Sequence, residues 1–92
     1  MSSSVVDVLN RTADILEDGG WVQHAYETDK GEHCLIGALE VAAPYGTLYS
    51  EARNALFDVV GTSPLSWNDM PGRTKEQVIA VVREAAANVD SE

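Results

Sequence analysis

Only one cysteine, Cys34, occurs in 92 residues, which excludes an internal disulfide and leaves a small core to hold itself together or to rely on a partner. No apolar run approaches the roughly 20 residues that a bilayer crossing needs, and the N-terminus lacks the basic-then-apolar pattern of a secretory signal. A cytoplasmic location and no membrane partner are therefore expected. Basic side chains are scarce: six Lys and Arg stand against fifteen Asp and Glu, for a net charge of -9. Such a chain repels nucleic-acid phosphates, so no direct nucleic-acid binding is expected and a basic protein surface is the better match. The glycines form neither GxGxxG nor GxxxxGK, and neither CxxC nor HExxH occurs, so no cofactor is expected.

What is present suits one domain, residues 1–92, with residues 1–3 and 90–92 expected to fray. A chain of this length hides only about 60 to 65 per cent of its unfolded surface, enough for a single modest core. The composition is 45% hydrophobic, with two Trp, three Tyr and one Phe, which argues for a compact fold over disorder.

Val5, Val6, Leu9, Ala13 and Leu16, with Ile15, recur at helical spacing and predict a helix from about residue 4 to residue 18. Ser4 and Asp7 resemble a capping box at its start, and Gly19-Gly20 can end it. Trp21, Val22 and Tyr26, the Asp29-Lys30-Gly31 interruption and then Glu32 to Ile36 read as a short β-hairpin, although an irregular loop or a helical turn from Trp21 fits the same residues. Cys34 to Ala43 reads as a central buried helix, with Gly37 and Ala38 small enough for close packing. Ser50 can cap a helix closed by Gly61, and Pro64 stiffens the linker after it. Thr74 with Gln77 forms a capping box for a final helix through Val78, Val82, Ala85 and Val89. The predicted fold is mainly α, a compact bundle of about four helices with a short β-hairpin between helices one and two.

Gly20-Trp21, Gly31 with Cys34, Gly37-Ala38-Leu39, Trp67-Asn68-Asp69 and Arg73-Thr74 together form a pattern that resembles a family of small uncharacterised proteins of actinobacteria and their phages. The resemblance spans most of the chain. It implies a shared compact domain without an established enzymatic activity, and it brings no catalytic residue with it.

Trp67, Asn68, Asp69, Met70, Pro71 and Arg73 are the candidate protein-binding residues. The indole can cover the core while Asn68 and Asp69 accept backbone N–H groups, or Trp67, Met70 and Pro71 can form an exposed apolar patch ringed by Asn68, Asp69 and Arg73. Arg73 can pair with Asp69 or reach a carboxylate on a partner. Glu27, Asp29 and Glu32 offer an acidic docking face, or simply a solvated one. His24, His33 and Cys34 are the weak candidates for a metal set or a Cys/His nucleophilic pair, because adjacent residues diverge on a strand and no third orienting group is evident. The leading expectation is a non-enzymatic interaction module, a phage or mobile-element accessory protein that binds and modulates a host protein, itself basic or nucleic-acid-binding. The alternatives are a small metal- or cysteine-dependent enzyme using His24, His33 and Cys34, and a structural homo-oligomer such as a homodimer.

Overall fold

The computed structural model of the chain describes residues 2–44 and 46–91, with the side chains of residues 2–4 outside the described set. Among the described residues five helices form the bundle: α1 (Ser2–Gly19), α2 (Leu35–Ala42), α3 (Thr47–Val60), α4 (Pro64–Asn68) and α5 (Lys75–Asp90). This corrects the expectation of about four helices and a hairpin. No β-strand is present among the described residues; residues 20–34 form a loop with two isolated bridges, Trp21 to His33 and Glu27 to His33.

α1 exists because Val5, Val8, Leu9, Ala13 and Leu16 bury one face, with Thr12 inside the same stripe. Thr12 Oγ1 donates to Val8 O at 2.8 Å, so its hydroxyl is satisfied without leaving the core. The helix is already formed at Ser2, so Ser4 is not its N-cap, and the Ser4 side chain in the expected capping box lies outside the described residues. Residues 1 and 92, within the termini expected to fray, are likewise outside them.

α5 buries Val78, Val82, Ala85 and Ala86 and begins with the capping box read from the sequence: Gln77 N donates to Thr74 Oγ1, and Thr74 N to Gln77 Oε1. α1 and α5 make the most extensive helix–helix contact in the molecule. They run antiparallel, for Lys75 Nζ reaches Glu17 O while Arg83 bonds Asn10, Asp14 and Glu17 at 3.0, 2.9 and 2.8 Å. Those three α1 residues lie on one face, so a single guanidinium fastens two turns of α1. The pairs are open to water and contribute modestly; their main effect is on register.

α3 starts at Thr47 after Gly46 and places Ser50 inside the helix rather than at its cap. Its end is as expected, since Gly61 adopts φ 77° and returns its N–H to Phe57 O. Pro64 opens α4 instead of stiffening a linker: at the first helical position its missing N–H has no intrahelical partner to lose. The Trp67-Asn68 pair is thus helical and projects from a fixed frame.

Candidate functional site

The loop of residues 20–34 is held both by its own backbone bonds, such as Val22 N–H to His33 O and His33 N–H to Gly20 O, and by α4 and the residues that follow it. Asn68, at the end of α4, is fully buried. Its Oδ1 accepts from the Trp21 indole N–H at 2.6 Å and from Leu35 N–H at 3.0 Å, and its amide donates to Val22 O and Asp69 Oδ1. One side chain therefore ties the loop to α4 and satisfies a free N–H of the first turn of α2. Gln23 adds bonds to the carbonyls of Asn68 and Met70 at 3.0 and 2.8 Å. Asp69 Oδ1 accepts His24 N–H at 2.9 Å, and His24 sits at φ 68°, a left-handed conformation rare for a residue with a side chain.

These cross-links explain why the hairpin does not form. Val22 N–H still bonds His33 O, but Val22 O accepts from Asn68 and His24 N–H goes to Asp69, and the turn at His24 breaks the extended backbone that a ladder needs. The Asp29-Lys30-Gly31 turn survives, with Gly31 N–H bonded to Thr28 O and Thr28 N–H to Glu32 O.

The residues expected to bind a partner are divided by the fold. Asn68 is structural and belongs to no exposed patch. Trp67 is half-buried against the core, with the Arg73 guanidinium over its ring at 3.8 Å. Arg73 also donates to Trp67 O at 3.0 Å and points a nitrogen at Met70 Sδ at 3.2 Å. It meets neither Asp69 nor open solvent alone, so it acts first as a clasp on the 67–73 segment. Met70, at 48% exposure, and Pro71 face solvent. Of the acidic trio, Glu27 and Asp29 are exposed, while Glu32 accepts the Thr28 hydroxyl at 2.9 Å and braces the turn.

His24, His33 and Cys34 are not gathered into a centre, and no group of three His, Cys, Asp or Glu side chains suited to a metal exists among the described residues. The His24 ring is exposed, 3.8 Å from Asp69, whereas His33 is largely covered, with Nε2 3.9 Å from Glu27 and Nδ1 buried without a partner. Cys34 is the N-cap of α2: its Sγ accepts Gly37 N–H at 3.2 Å. Burial pushes the thiol up in pKa, more than the Gly37 and Ile36 amides pull it down, and the Asp69 and Glu40 charges push the same way. A thiol held protonated in this way is no nucleophile. Native protein at neutral pH should therefore leave Cys34 unlabelled by 5,5′-dithiobis(2-nitrobenzoate) until denaturant is added; prompt native labelling would refute this assignment.

One concave feature adjoins the Asn68 junction. A cleft of about 290 Å³ is lined by His24, Ala25, Tyr26, Leu65 and Asp69. Tyr26 is 53% exposed on its wall. Burial raises the pKa of the Asp69 carboxyl, but the His24 N–H, the Asn68 amide and the nearby His24 ring outweigh it and leave the group below its ordinary range. Tyr26 and Gln23 were missed as site residues because nothing in their local sequence marks Leu65, Asn68, Asp69 or Met70 as their neighbours.

The sequence model of a family of unknown function, DUF6197, matches residues 1–88, and the chain belongs to that family. No curated protein and no solved structure matches the chain significantly.

Proposed function

We propose that this member of the family is a non-enzymatic protein-interaction module whose docking surface is built by the 20–34 loop and α4 together. The observation that carries the reading is the preformed cleft beside the Asn68 junction, with Tyr26 and Met70 exposed on a frame fixed by buried hydrogen bonds. A surface ordered before contact loses less entropy on binding, and half-exposed aromatic and Met side chains are common anchors. Tyr26, Met70 and Pro71 supply the apolar contact, with Asp69, Glu27 and Asp29 around them as the acidic part. Trp67 and Arg73 support that surface from beneath. The phage and actinobacterial resemblance makes a basic host protein the partner to seek, with the chain acting by stoichiometric docking.

The test is capture from an actinobacterial lysate with wild type beside Tyr26→Ala and Met70→Ala, followed by affinity measurement with the purified partner. Both side chains are solvent-facing, so both variants should melt like wild type. Tyr26→Ala should weaken the identified complex by about tenfold or more, the scale of an interface anchor. Equal affinity for all three proteins would reject this surface.

A further inference from the structure

We infer that the cleft between the loop and α4 is a receptor for a single arginine side chain presented by the partner protein. The inference rests on the interaction reading above and names the chemistry of its central contact. At about 290 Å³, the cleft lies at the bottom of the range for drug-sized ligands, so it suits one long side chain better than a cofactor.

Its lining is divided as an arginine would require. Asp69 Oδ1 is saturated by the His24 N–H and the Asn68 amide at 2.9 and 3.0 Å. Oδ2 accepts no hydrogen bond from the described residues, and the His24 imidazole, through Nδ1, stands off at 3.8 Å. The chain thus holds a carboxylate rigidly by one oxygen and presents the other to the cleft. Asp69 is 27% exposed, enough for access and little enough for partial desolvation to strengthen a charged hydrogen bond. Tyr26, half-exposed on the wall, supplies an aromatic ring of the kind that attracts a planar cation, and Leu65 supplies apolar lining for the methylene stem.

The surrounding field has the right sign. The Asp69 carboxylate is on the wall itself, and the exposed Glu27 follows Tyr26 directly in the chain. With a net charge of -9, approach of a cation is favoured at long range as well. Arginine fits better than lysine because its flat, weakly hydrated guanidinium can stack on Tyr26 while donating to Oδ2. An anion is disfavoured here by the Asp69 carboxylate on the wall.

The experiment is a nitrogen-15 amide titration of the full chain with the peptide acetyl-Gly-Ala-Arg-Ala-Gly-amide, beside its citrulline counterpart, which keeps the shape and loses the charge. Saturable shifts should centre on His24, Ala25, Tyr26, Leu65 and Asp69, and citrulline should bind about tenfold more weakly. Tyr26→Ala, with a dispersed native spectrum, should weaken the arginine peptide while leaving the Trp21 indole resonance in place, which separates loss of contact from loss of fold. Equal binding of both peptides, shifts centred elsewhere, or no shift at millimolar peptide would overturn the inference. A captured partner that depends on Tyr26 but a titration that fails would remove only the arginine; loss of both removes the docking surface itself.

Discussion

Asn68→Ala is expected to lower the unfolding free energy by about 4 kcal/mol, because it strands the buried Leu35 N–H and the part-buried Trp21 indole N–H and Val22 carbonyl around a fully buried side chain. Each such group costs on the order of 1–3 kcal/mol, and partial hydration after the loop shifts recovers some of it. A domain of this length holds only about 5–14 kcal/mol in all, so the variant should be marginal, with a melting temperature lower by roughly 15 °C or more. Urea unfolding followed by tryptophan fluorescence measures it. Trp21 reports directly on the junction. A loss below about 1 kcal/mol would show that Asn68 is a surface turn residue after all, and that the loop is held by other means.

Gly37→Ala tests the other side of the same junction, and here the sign of the effect is decisive. In an ordinary helix interior the change stabilises by about 1 kcal/mol, since glycine carries the larger entropy loss. Gly37 is different: a Cβ there would overlap the Tyr26 carbonyl oxygen and stand 2.9 Å from its carbon, both backbone atoms. Neither can swing aside as a side chain would. To admit the methyl, the loop must lift from α2, stretching the Cys34 N–H bond to the same Tyr26 oxygen and displacing Tyr26 from the cleft. The expected result is a destabilisation of about 3 kcal/mol, combining overpacking with a weakened buried hydrogen bond. Thermal melts of wild type and variant decide it, and a stabilised Gly37→Ala protein would refute the close approach.

The parts of this molecule that could be read from its sequence are those governed by near neighbours. The α5 capping box depends on Thr74 and Gln77, three positions apart, and the left-handed end of α3 on Gly61 alone. The α1 stripe is a matter of period, although Val8 and Thr12 turned out to be more deeply set than Val6 and Ile15. α4 was not legible, because five residues carry too little periodicity and a leading proline looks like a breaker when its place at the first helical position is unknown. The hairpin failed for a reason that alternation cannot reveal: the Trp21 indole, Val22 O, the Gln23 amide and His24 N–H find their partners on residues 68–70. Asn68 itself was noticed as a turn former, with its acceptor role among the readings. Its burial comes from the meeting of Trp21, Val22 and Leu35, which no single local pattern encodes.

The antiparallel pairing of α1 with α5 also has a consequence for the chain during synthesis. α1 emerges from the ribosome before α5 has been made, and the larger part of its apolar face has no cover until then. α2, the next partner, brings only eight residues. Until α5 is made, the part of the α1 apolar face that it covers stays wet, and exposed surface of that kind is what a chaperone holds. Closing the contact between α1 and α5 spans the longest loop of any helix pair in the bundle, so the core of this domain is completed only once α5 has been made.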